Sequence, residues 1–126
     1  FYNKSSRGYG YRFNDDVEEN ITFSITASKG CVRDCNFCDV GKIWNKFKFR
    51  SGESVANEII ELHSKYNAIF FSFTDSLLNG GLKPFNELNE ILSQKLPNII
   101  KYEGQFICRS EKDMPEKYFA NMAKSI

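Results

Sequence analysis

Three cysteines stand within eight positions of one another in Gly30-Cys31-Val32-Arg33-Asp34-Cys35-Asn36-Phe37-Cys38, spaced CxxxCxxC with an aromatic residue directly before the last. Thiolates are soft ligands that select zinc, copper(I) or iron-sulfur clusters, and one flexible loop carrying three of them can wrap a compact metal centre from one side. The number matters. A structural zinc site or an ordinary cluster takes a fourth protein ligand, whereas a cubane held by three cysteines leaves one iron open to something that is not protein.

The loop is preceded by Ile21-Thr22-Phe23-Ser24-Ile25-Thr26, which alternates strictly and predicts a strand with Ile21, Phe23 and Ile25 on one face. The cysteines therefore leave from a strand's C-terminal end, where parallel α/β folds place their active sites. A helix is predicted from Ser51 to about Tyr66, with Ser51 as cap, Glu53 in the first turn and the stripe Val55, Ile59, Leu62, Tyr66. Ala68 to Phe73 is a nearly continuous apolar run, as expected of a strand covered on both faces, and it ends in Thr74-Asp75-Ser76. Pro84 is expected to open a second helix with Phe85, Leu88, Leu92 and Leu96 on one face, stopped by Pro97. A third strand is expected over Tyr102 to Cys108, then a third helix with Asp113 as cap and Glu116 completing a capping box. Strand and helix alternate three times, which predicts an α/β fold with a parallel sheet. Residues 1–20, with Phe1, Tyr2, Tyr9, Tyr11 and Phe13 followed by an acidic run, show neither period and read as a lead-in or linker segment.

The chain has 126 residues and a formal charge of +1, which suits one domain and gives it no electrostatic partner as a whole. No apolar run approaches the roughly 20 residues needed to span a bilayer. Four cysteines, three of them in one loop, suit a reducing compartment and a metal better than a disulfide framework. A soluble cytoplasmic protein with no membrane partner is expected. Lys42 to Arg50 interleaves Lys42, Lys46, Lys48 and Arg50 with Ile43, Trp44, Phe47 and Phe49. Such a stripe can bind nucleic acid, but with no wider basic face it reads better as a strand-like excursion that packs its aromatics and solvates its lysines.

The cysteine pattern resembles the signature of the radical S-adenosylmethionine (radical SAM) enzymes. Ser28-Lys29-Gly30-Cys31, Cys38-Asp39-Val40, Lys42-Ile43-Trp44 and Phe49-Arg50-Ser51 extend the likeness to the branch often associated with a cobalamin-binding domain. The resemblance implies that Cys31, Cys35 and Cys38 ligate a 4Fe-4S cluster, that S-adenosylmethionine chelates the open iron, and that Phe37 lies near its adenine. It implies reductive cleavage to a 5'-deoxyadenosyl radical, an electron donor such as a flavodoxin or ferredoxin, and any cobalamin held outside this chain. Thr74-Asp75-Ser76 stands where the family often has Gly-Gly-Glu binding the cosubstrate's amino group. That departure leaves Asp75 divided between assisting there and capping its own turn. Arg109, at the end of the third strand, shares a face with Glu103, Gln105 and Ile107 and either reaches the site, where it could pair with a carboxylate, or makes a surface ion pair. Cys108 is expected to face the helices as a core thiol.

Radical SAM domains resemble a six-unit partial (β/α) barrel, and residues 21–126 suffice for about three units, the N-terminal half. The chain opens at Phe1 without a methionine and is expected to be a truncated fragment with weak or absent turnover alone. The alternative is a non-catalytic zinc module in which Cys108 or His63 adds a fourth ligand and residues 42–50 contact nucleic acid. Zinc modules usually bring two separated ligand pairs, which the single-loop trio does not.

Overall fold

A computed structural model describes residues 22–108, 110, 112 and 115–125. The lead-in segment, Ile21, Arg109 and Asp113 lie outside the described residues. The predicted alternation forms a three-stranded sheet of β1 (Thr22–Ile25), β4 (Phe70–Phe73) and β5 (Lys101–Glu103), in the order β1-β4-β5 and parallel throughout. Between them in the chain come β2 (Ser28–Lys29), α1 (Val40–Ile43), β3 (Lys48–Phe49), α2 (Gly52–Tyr66), a 3₁₀ turn (Leu78–Gly80) and α3 (Leu82–Lys95). Helix α4 (Glu116–Ser125) follows β5.

Register explains the core. Phe23, Phe71 and Tyr102 are direct neighbours across the sheet and all are buried, as are Ile25 and Phe73 one step further along. They pack against Val55, Ala56 and Ile59 of α2 and Phe85, Leu88 and Leu92 of α3, one face of each helix. The opposite face of the sheet is polar apart from Phe70. Its matching row is Ser24, Ser72 and Glu103, and the Ser72 hydroxyl donates to the Glu103 carboxylate at 2.9 Å. Phe70 and Ser72 are half-buried, so among the described residues helices cover one face of β4 and not both.

Helix α2 begins and ends as its sequence predicts. Ser51 caps it by accepting from the Ser54 N–H at 3.1 Å, and Asn67 closes it in the left-handed region at φ 52°. His63 belongs to its last turn, with Nδ1 2.9 Å from the Ala68 carbonyl. Helix α3 starts two residues before Pro84, which sits within the first turn, where its missing N–H costs nothing.

The third strand is shorter than its alternation predicts. Beyond Glu103 the backbone turns to the 3₁₀ segment for partners: Leu78 N–H donates to Gln105 O at 2.8 Å. The buried Asn79 amide then brackets Ile107, donating to its carbonyl at 2.8 Å and accepting from its N–H at 3.0 Å. A side chain thus stands in for a neighbouring strand. Out of the sheet, residues 104–108 lose the predicted phase, and Cys108 is exposed instead of packed under the helices.

Tyr102 joins β5, α3 and α4 in one buried polar knot. Its hydroxyl donates to Asn89 Oδ1 at 2.6 Å, Ser125 donates to the same oxygen at 2.9 Å, and Asn89 Nδ2 donates to Phe85 O at 2.9 Å. Burial, against those hydrogen bonds, pushes the phenol up to about 12 from 10.0. The fold therefore retains a proton that the unfolded chain releases between those values. Its contribution is full below pH 10 and lost as pH rises through about 12, worth on the order of 3 kcal/mol. Melting curves of the native chain should fall above pH 10 more steeply than those of Tyr102→Phe, and parallel curves would refute the buried phenol's part.

Candidate metal centre

The cysteine loop is rooted at the C-terminal end of β1, and its root is held from two sides. Thr26 and Ala27 share a peptide group whose carbonyl accepts from Arg50 Nη1 at 3.0 Å and whose N–H donates to Asp75 Oδ2 at 3.1 Å. Guanidinium and carboxylate thus grip the two ends of one peptide dipole. Asp75 Oδ1 also accepts from the Ser28 hydroxyl. Arg50 is itself fixed, with Nη1 2.6 Å from Glu58 Oε2, Nη2 3.0 Å from Ser54 Oγ, and its own N–H donating to Ala27 O at 2.8 Å. Thr26 and Thr74 share a hydroxyl hydrogen bond of 2.7 Å across the tips of β1 and β4.

From this root β2 pairs antiparallel with β3, Ser28 against Phe49 and Lys29 against Lys48, so the excursion returns beside its own start. Gly30 follows with φ +83°, a conformation L side chains rarely adopt, and a Cβ there would lie 3.0 Å from Lys46 O and 3.2 Å from Phe47 Cα. This glycine lets the two arms close at the neck of the loop. Cys31 comes next, half-buried, its sulfur accepting from Arg33 N–H at 3.4 Å. Cys35 and Cys38 end a four-residue turn closed by Cys38 N–H to Cys35 O at 3.0 Å, with Asn36 and Phe37 at its corners. Phe37 is 91% exposed. Helix α1, which the sequence pattern did not reveal, starts behind this turn and carries Ile43 outward.

The aromatics of residues 42–50 divide. Phe47 and Phe49 are half-buried with ring centroids 6.4 Å apart, as expected of an excursion that packs its aromatics. Trp44 is 45% exposed, with Lys29 Nζ 5.1 Å from its ring.

The three thiols share a loop, and two of them stand at the ends of one turn. Among the described residues no three His, Cys, Asp or Glu side chains are gathered as a metal-holding group. In kind the donors fit an iron-sulfur centre: three thiols, all reachable by solvent, on one loop at the C-terminal edge of parallel strands. In placement, the three sulfurs must draw together to share a metal, and the Arg33 N–H bond to Cys31 is compatible with that, because a thiolate can ligate a metal while accepting an N–H. Comparison of the chain with family models, with curated proteins and with solved structures returns no match.

Thr74 and Asp75 stand at this edge as the sequence places them. Asp75 is buried, and both its oxygens are turned to the loop root, a tie to residues 47 and 48 positions earlier, not a cap on its own turn. His63 lies where α2 ends, before β4 begins, hence at the sheet's other edge, about 13 Å of strand away. The residue that sequence reasoning missed is Arg50. Its partner carbonyl is 24 positions distant, and no local pattern signals such a contact.

Proposed function

We propose that this chain is the N-terminal half of a radical SAM catalytic domain, about three of the six units of a partial (β/α) barrel. The observation that carries the reading is a CxxxCxxC loop leaving the C-terminal end of the first strand of a parallel sheet. Among the described residues no helix is long and apolar enough to cross a membrane. The cysteine-rich loop suits a reducing compartment such as the cytoplasm.

Cys31, Cys35 and Cys38, as thiolates, would hold a 4Fe-4S cluster whose remaining iron takes S-adenosylmethionine. Bound there, these groups would supply one-electron reductive chemistry on a sulfonium and hydrogen abstraction. The chain's own residues do the rest. Arg50 and Asp75 fix the peptide from which the loop departs, so that the loop is anchored at the tips of β1 and β4. Phe37, at the corner of the turn, offers an exposed apolar surface to the adenine. Thr74, paired with Thr26, offers oxygen acceptors at the strand edge for the cosubstrate's amino group, and Asp75 serves that group by holding the edge rigid. Arg109, from the segment after β5, completes the candidate set as a partner for a carboxylate. Electrons come from a flavodoxin- or ferredoxin-type donor, and cobalamin, where the reaction uses it, from a domain outside residues 1–126.

Anaerobic reconstitution with iron and sulfide tests this. The reduced chain should bind a cluster whose EPR signal changes on adding S-adenosylmethionine, and each of Cys31→Ala, Cys35→Ala and Cys38→Ala should bring bound iron to background. Zinc without a cluster, or iron retained by all three variants, would overturn the reading in favour of a zinc module or an unrelated thiol loop.

A further inference from the structure

We propose that Cys35 and Cys38 form a thiol–disulfide couple in the metal-free chain, closed by a low-molecular-weight disulfide of the oxidised-glutathione type and opened by thiol reductants. The pairing rests on the turn. Residues 35–38 are closed by the Cys38 N–H to Cys35 O hydrogen bond at 3.0 Å. Such a turn keeps its end Cα atoms within about 7 Å. Disulfides form across Cα separations of about 4.4–6.8 Å. The two thiols are thus already within reach of each other, with the intervening Asn36 and Phe37 held out at the corners.

The other thiols lie outside the turn. Cys31 lies beyond the turn with its sulfur engaged by Arg33 N–H at 3.4 Å, and Cys108 lies past β5. Access assigns the order of attack. Cys35 is exposed and Cys38 half-buried, so the Cys35 thiolate attacks one sulfur of the small disulfide and expels one small thiolate, giving a mixed disulfide. The Cys38 thiolate then attacks the Cys35 sulfur, forms the Cys35–Cys38 bond and expels the second small thiolate. Two protein thiols lose two protons and two electrons, and the small disulfide becomes two thiols. The consequence for metal loading rests on the reading of the loop as a cluster site: two of three ligands are withdrawn, so the site loads only when the thiol pool is reducing. The pairing itself does not depend on that reading.

The metal-free chain, reduced and then incubated with oxidised glutathione, is quenched by alkylation and mapped by mass spectrometry. The expected product links Cys35 to Cys38, with Cys31 and Cys108 recovered alkylated or carrying single glutathiones. Cys31→Ser should form the pair in the same yield, and Cys38→Ser should keep glutathione on Cys35. Glutathione left on Cys35 of the native chain, or Cys31 linked to either partner as often as they are to each other, overturns the proposal. Iron uptake should be lost after oxidation and return with dithiothreitol. A reduced chain that takes no iron while the pair still forms removes the cluster reading and leaves the couple standing; uptake unchanged by oxidation removes the withdrawal of ligands.

Discussion

Gly52→Ala should lower stability by about 3 kcal/mol, roughly 15 °C in melting temperature for a domain of this size. At an ordinary helical site the same change reduces the freedom of the unfolded chain and stabilises by about 0.4–1 kcal/mol. Here the sign reverses because the first turn of α2 lies against the first turns of α3 with no space for a methyl group. A Cβ would stand 2.3 Å from Pro84 O, 2.5 Å from Leu88 N and 2.7 Å from Glu87 Cβ, two of them backbone atoms that cannot rotate away. The Gly52 N–H also donates to Glu87 Oε2 at 2.8 Å, a bond that separation of the helices breaks. Gly41→Ala is the control, since its Cβ would meet only Asp34 Oδ1 at an ordinary 3.7 Å. Thermal melts should show the first variant far below the native chain and the second level with it or slightly above; equal melts of the two variants would mean that the two helices tolerate separation. Because Arg50 sits two residues before Gly52, alkylation of Cys35 should also quicken in the first variant as the loop root loosens.

Asp75→Ala should cost about as much, roughly 3 kcal/mol, for a different reason. It orphans the Ala27 N–H and the Ser28 hydroxyl, both on buried residues, and an unpaired buried polar group costs about 1–3 kcal/mol. Asp75→Asn should cost only about 1 kcal/mol, because the amide oxygen can keep the Ala27 N–H while the Ser28 hydroxyl rotates to accept from the amide nitrogen. Melting temperatures in the order native, Asn, Ala are expected. If Asn and Ala fell together, the pairing at the loop root would be contributing charge and not hydrogen-bond acceptors.

What the sequence reveals here is what local chemistry decides. The alternation of Thr22 to Ile25, the Ser51 cap and the first turns of the α2 stripe, Val55 and Ile59, are each set by neighbours within a few positions and take the predicted form, while Tyr66 at the end of that stripe is exposed. The order of strands and helices follows, and with it the position of the cysteine loop. Long-range replacement of one partner by another is not legible in this way. Residues 104–108 carry strand-like alternation, yet their hydrogen bonds go to Asn79 and Leu78, and Cys108 faces solvent as a result. At the candidate site the three thiols are visible as a pattern. The grip of Arg50 and Asp75 on one peptide is not, because its parts come from three separate stretches of chain.

The placement of β4 between β1 and β5 has a consequence for how the molecule is made. β1 pairs with residues 48 positions later, Thr22 with Phe70, so among the described residues a strand bearing Phe23 and Ile25 has no sheet neighbour until residue 73 has left the ribosome. At about 5–20 residues per second that wait is roughly 2–10 s. During it the sticky strand is a natural client for a chaperone. The thiols, too, emerge before the Asp75 carboxylate that anchors their loop, so the loop is not tied down until that residue has followed.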